Sequence, residues 1–174
     1  MTNDRTLSLS TVTHSINAPI EKVDLADWLF NLPDAEYQRC SPAHIAAGHT
    51  TSDDGHPMSI NVESIGEALM VQHFVEVWKP HFCRLTSISD AITAKGRTRV
   101  HLLWEISVER IDDHSCEYSN HIHATATDEF LTFIANNDIT FEQARAARQQ
   151  ASDAHNRQET PKFAKSIELR ALSR

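Results

Sequence analysis

The chain of 174 residues has only three cysteines, Cys40, Cys83 and Cys116, spaced far apart and odd in number. They form no C-x-x-C pair, which argues against a disulfide framework and makes a reduced, cytoplasmic setting the simpler expectation. Long hydrophobic runs are also missing: none nears the ~20 residues a membrane-spanning helix requires. The start "MTNDRTLSLS" has no charged-then-apolar leader, so neither targeting nor a membrane partner is expected. Positive charge is scarce, with 16 Lys and Arg against 24 Asp and Glu and a formal net charge of -8. Phosphate-rich partners require a positive face, so nucleic acid is not an expected partner either. With 4 Gly and 6 Pro the chain is neither fibrous nor of low complexity. No G-x-S-x-G, phosphate loop or dinucleotide fingerprint occurs, and no cofactor is expected. What the chain does have in unusual number is histidine, 11 in all, the commonest metal ligand and the side chain readiest to titrate near neutrality.

A chain of this length suits one domain, residues 1–174, with one sizeable core. Leu7 to Ile16, "LSLSTVTHSI", alternates like a strand and is ended by Pro19, which has no amide to give a ladder. Ile20, Val23, Leu25, Ala26, Leu29 and Phe30 then recur near the helical period, predicting a helix that ends by Pro33. A short helical piece over Asp34 to Arg39 follows, and then a loop through "GHTTSDDGHP". From Met58 to about Thr127 five β-rich runs are punctuated by Gly66-Glu67, Lys79-Pro80, Lys95-Gly96 and Asp112-Asp113, as an antiparallel meander requires. The remainder is helical. Thr140 with Gln143 makes a capping box, and Thr160-Pro161 predicts a second helix start with a break or sharp kink at Pro161. Six strands with helices outside the meander predict an α+β fold with one sheet face covered.

That order of elements, with "INAPIEKVDLADWL" as its most local signature, resembles the START-like superfamily, also called SRPBCC or pollen-allergen-like. The resemblance implies a helix-grip fold, in which a curved antiparallel sheet of about six strands wraps a long C-terminal helix and leaves a cavity for a small molecule. The helical residues Ala144, Ala147, Ala151 and Ala154 fit such a void or, equally, close packing.

Several side chains are candidates for the cavity. In "LMVQHFVEVW" His73 shares a face with Leu69, Val71, Val75 and Val77, making it the candidate polar floor, with Glu63 as a cross-strand acid-base partner. Trp104 and Ile106 read as inward residues of "RVHLLWEISV", with His101 outward. Ile122 and Ala124 mark the core face of "NHIHATAT"; the intervening His121 and His123 suit a metal or a polar ligand, although the alternation favours a solvent face. Ala144, Arg148 and Ala151 complete the expected ligand-binding set from the C-terminal helix. His44 and His49, spaced His-x4-His, resemble the iron pair of ring-hydroxylating oxygenases, whose catalytic domain shares the fold. That resemblance implies a later carboxylate ligand, for which Asp153 is the nearest candidate. No iron-sulfur ligand pair accompanies them, so a solvated loop is the preferred reading and no metal is expected. The run "HNRQETPKFAK" reads as a solvated or dimer-contacting surface.

Three functions remain open at this point: a carrier of a mostly apolar or aromatic small molecule, which is preferred; an enzyme of the same fold using cavity histidines and carboxylates, whether cyclase, hydrolase or metal-dependent; and a filled-core protein that forms a homodimer.

Overall fold

A computed structural model describes residues 4–173, the side chains of 75–78 excepted. Strand β1 (Thr6–Ile16) buries Leu7 and Ile16 and stops before Pro19, as the missing amide dictates. The helix predicted from Ile20 to Phe30 is divided in two. A single 3-10 turn (Ile20–Lys22) is followed by extended backbone at Val23 and Asp24, and the Asp24 carboxylate then accepts the Asp27 amide at 2.9 Å to open α1 (Leu25–Asn31). An aspartate at that position satisfies an amide that has no partner within the helix, which is why the helix starts there. Helix α2 (Asp34–Cys40) follows after Pro33.

The sheet has seven strands, one more than the sequence suggests. The extra one is β2 (His44–Thr51), within the stretch expected to be a loop. Strands β3 (Pro57–Ile65), β4 (Ala68–Lys79), β5 (Phe82–Thr93), β6 (Gly96–Arg110) and β7 (Cys116–Ala126) form the meander. All pairings are antiparallel and the order is β1-β7-β6-β5-β4-β3-β2, so β1 and β2 are the two edges.

Helices α3 (Asp128–Asn136) and α4 (Phe141–Leu172) cover the inner face. The capping box of Thr140 and Gln143 forms as predicted. The second helix start does not: α4 runs through Pro161 as 32 continuous residues, about 48 Å at 1.5 Å per residue. An interior proline costs about 3 kcal/mol, whereas burying Phe163 and Ile167 contributes about 1.5–3 kcal/mol each, so packing beyond the proline outweighs its penalty. Phe163, Ala164, Ile167 and Ala171 are all buried at helical spacing. No described helix is long and apolar enough to cross a membrane.

The structure reverses the faces expected for β4. Met70, Gln72 and Phe74 are buried against the interior, and His73 is exposed on the outer face. Register places His73 opposite Ile60, and Glu63 opposite Met70, so the expected Glu63–His73 pair does not form. The side chains of Val75 and Val77, also assigned to His73's face, lie outside the described residues.

Candidate functional site

The middle of α4 turns a polar stripe into the core. Ser152, His155, Asn156, Glu159 and Thr160 are buried, with the three- and four-residue steps of one helix face. His155 and Glu159 are four apart and therefore neighbours on that face. From the sheet, β2 and β3 place His44 directly opposite Glu63 in their register. The run expected to be a solvated surface thus supplies half of a buried cluster of two imidazoles and two carboxylates.

Its distances are short. His44 Nε2 lies 3.0 Å from Glu159 Oε2 and 3.8 Å from Glu63 Oε2. His155 Nε2 lies 2.8 Å from Glu63 Oε2 and 3.1 Å from Glu159 Oε2. The Glu63 contact is charge proximity rather than an aligned hydrogen bond, since Glu63 Oε2 has no donor directed at it. All four side chains are at most 7% exposed, and removing an ion from water costs several kcal/mol, so a charge at this depth requires a counter-charge beside it. Burial opposes the imidazolium of His155, but Glu159 and Glu63 beside it hold its pKa well above the ordinary histidine value. Burial likewise opposes the Glu159 carboxylate, and His155 and His44 hold its pKa well below the usual range.

A second ring of contacts orients these groups. His44 Nδ1 donates to the Tyr37 carbonyl at 2.7 Å, and the Tyr37 ring stacks on the imidazole with centroids 3.9 Å apart. The carbonyl accepts only, so Nδ1 carries a proton and Nε2 is turned toward the carboxylates. Asn120 Nδ2 donates to Glu159 Oε1 at 3.1 Å, and Asn120 Oδ1 accepts from Trp104 Nε1 at 2.8 Å. Trp104, Asn120 and Glu159 therefore form a chain that leaves Glu159 Oε2 to the histidines.

A hollow of about 30 Å³ lies against the cluster, with Glu63, His155, Glu159, Trp104, Ile122 and Arg148 in its wall. It has room for about two waters. A much larger, open cleft of about 1060 Å³ lies between the sheet and α3 with the first half of α4. Ile65, Val100, Phe130, Phe133, Ala144 and Ala151 are among its walls. Ile65, Arg148 and His155 border both spaces, and so stand between the cleft and the cluster. Arg148 is half-buried; its Nη1 donates to Met70 Sδ at 3.6 Å and its buried Nε has no acceptor. Desolvation lowers its pKa, and the nearby Glu63 charge acts in the opposite direction.

Of the residues singled out in the sequence, Glu63, Trp104, Ile122 and Arg148 surround the inner hollow, and Ala144, Arg148 and Ala151 line the cleft. His73 is on the far side of the sheet, and Ile106, wholly buried, lines neither space. His121 and His123 bond outer-face groups, Thr11 Oγ1 and Thr6 Oγ1, at 2.7 and 3.2 Å. His44 belongs to the cluster, but its expected partners do not: His49 is exposed, and Asp153 is half-buried, with its pKa lowered by hydrogen bonds from Gln149 and Ser10. His155, Glu159 and Asn120 were missed. The one signal for the first two was the i, i+4 spacing in "HNRQE".

No protein-family model matches the chain, and no curated protein matches it in sequence. Solved structures do match in fold. The Zhui aromatase/cyclase from Streptomyces sp. R1128 is 13% identical over 93% of this chain and 94% of that one, with a TM-score of 0.68. The di-domain ARO/CYC StfQ from the steffimycin biosynthetic pathway is 11% identical over 95% of this chain and 53% of that one, with a TM-score of 0.61. A conserved protein from Geobacillus kaustophilus is 11% identical over 95% of both chains, with a TM-score of 0.56. With the seven-stranded antiparallel sheet packed on one long helix, these likenesses show that the chain has a helix-grip fold.

Proposed function

We propose that this protein binds a small, mostly apolar or aromatic organic molecule in the cleft between the sheet and the two C-terminal helices. The observation that carries the reading is the cleft itself: about 1060 Å³, walled by Phe130, Phe133, Val100, Ile65 and small alanines. Ligand sites typically enclose about 300–1,000 Å³ with apolar walls and few polar groups. Of the polar groups that line it, Arg148 and His155 also border the inner hollow, where they would meet a ligand's oxygen-bearing end.

A second reading, enzyme rather than carrier, is favoured by the His/Glu cluster to which His155 belongs. A buried imidazole held between carboxylates can give or take a proton at the inner end of the cleft. Two of the fold neighbours are described as aromatase/cyclases, which suits that reading.

The test uses an apolar anionic dye, anilinonaphthalene sulfonate, titrated into wild type and Ala144→Trp. Saturable binding of one dye per chain, weakened at least tenfold by the tryptophan, supports the cleft; no binding, or binding unaffected by the tryptophan, overturns it. Native mass spectrometry of the purified protein then separates the two readings. A co-purified molecule whose mass is unchanged on incubation indicates a carrier, and a molecule released with altered mass indicates an enzyme.

A further inference from the structure

We infer that His44, Glu63, His155 and Glu159 form a binding site for one divalent transition-metal ion, best fitted by zinc. The inference stands apart from the cleft's occupant, because it rests on the arrangement of the cluster alone.

Zinc holds imidazole nitrogens at about 2.0–2.1 Å and carboxylate oxygens at about 2.0–2.2 Å in a tetrahedron, whose ligand atoms are then about 3.4 Å apart. The contacts between the imidazole Nε2 and carboxylate Oε2 atoms are 2.8, 3.0, 3.1 and 3.8 Å. The ligand atoms of all four residues lie within 4.8 Å of one another. The tetrahedral spacing falls inside that range, so shifts of about 1 Å or less place all four around one ion.

Buried polar atoms are almost always partnered, and each exception calls for an explanation. Two atoms of this cluster are exceptions, Glu63 Oε2 and His155 Nδ1, in residues 6% and 7% exposed. Glu63 Oε2 is one of the converging oxygens, and a cation would satisfy it.

Two carboxylates carry two negative charges, which one divalent ion neutralises while both imidazoles remain neutral ligands. His44 Nδ1 is fixed on the Tyr37 carbonyl and Glu159 Oε1 on Asn120, leaving His44 Nε2 and Glu159 Oε2 for the ion. Metal-bound histidines and carboxylates are held by second partners of this kind. Two imidazoles with two carboxylates in a compact set suit zinc better than magnesium or calcium, which take all-oxygen shells. The hollow of about 30 Å³ beside Glu63, His155 and Glu159 gives the ion room for a water as a further ligand.

The experiment strips the full-length chain with a chelator and titrates it with zinc alone, by calorimetry against a competing chelator and by elemental analysis. We expect one zinc per chain, with affinity reduced at least 100-fold in His155→Ala and in Glu63→Gln and unchanged in His73→Ala, a histidine of the outer face. Cobalt provides a second readout that needs no affinity: a four- or five-coordinate visible spectrum in wild type, lost in His155→Ala. Circular dichroism confirms that each variant is folded. Should one variant fail to fold, the other variant and the wild-type cobalt spectrum decide. Failure of the stripped wild type to bind one zinc per chain on titration, or affinity unchanged by the folded cluster variants, overturns the site. Failure of dye binding in the cleft has no bearing on this measurement, so the two readings fail separately.

Discussion

Asn120 is the connection on which the inner site depends, and its removal has a size that follows from its contacts. The side chain is wholly buried and joins Trp104 Nε1 at 2.8 Å to Glu159 Oε1 at 3.1 Å. Asn120→Ala leaves the indole N–H without an acceptor, at about 1–3 kcal/mol, and removes a hydrogen bond to a charged group, worth about 1.5–3 kcal/mol. Partial relaxation, or a water drawn from the adjacent hollow, offsets some of this, so the expected loss is about 3–5 kcal/mol. For a domain of this size each kcal/mol shifts Tm by about 2–4 °C, giving a fall of roughly 10 °C. Urea denaturation measures the free energy directly. Trp104→Phe alone strands the Asn120 oxygen instead, and the double variant strands neither partner of that hydrogen bond. A double-mutant cycle is therefore expected to show a coupling of about 1 kcal/mol or more. An Asn120→Ala loss below about 1 kcal/mol, or strict additivity with Trp104→Phe, would refute the reasoning.

Gly66, in the turn between β3 and β4, has φ +61°, and a Cβ added there would lie 3.2 Å from the Ala151 Cβ. Gly66→Ala should cost about 1–2 kcal/mol from the left-handed backbone, read as a lower Tm, with Gly66→Ala/Ala151→Gly recovering only the part due to crowding. Equal stabilities for wild type and Gly66→Ala would contradict this. Glu168 accepts from Lys165 and from the backbone and side-chain nitrogens of Asn17, contacts that lower its pKa. A depressed folded value means that its stabilisation is complete above the unfolded pKa of about 4.3 and is lost as pH falls through the folded value. Denaturant midpoints measured from pH 7 to pH 3 should therefore fall less steeply in Glu168→Gln, and identical slopes would show that these contacts do not matter.

How much was legible in the chain depends on where chemistry and pattern agreed. Strand β1, the meander and the capping box at Thr140 were readable because β-branched alternation and cap residues act locally. Strand β2 was not, because it is an edge strand with Gly48, His49, Thr50 and Thr51 exposed, so its residues look like a loop. The uninterrupted passage of α4 through Pro161 depended on packing that no local rule includes. The faces of β4 were ambiguous for a similar reason: Gln72 is buried at the same level as Met70 and Phe74, so polarity did not mark the outside. The cluster was half visible. His44 stood out as a histidine, but Glu63 meets it only through the β2–β3 register. His155 and Glu159 sat in a run so polar that it resembled a wetted surface, because the stripe they occupy is matched by polar partners rather than by apolar ones.

The polar stripe of α4 also governs how that helix can dock. A helix seated by aliphatic side chains alone tolerates sliding, since one greasy contact replaces another at little cost. Here a slip of a single residue turns α4 by 100° and carries His155 and Glu159 away together, leaving His44 on β2 and Glu63 on β3 without the helix's half of the cluster. Partners 115 residues apart in the chain thus act as a latch that closes in one position only.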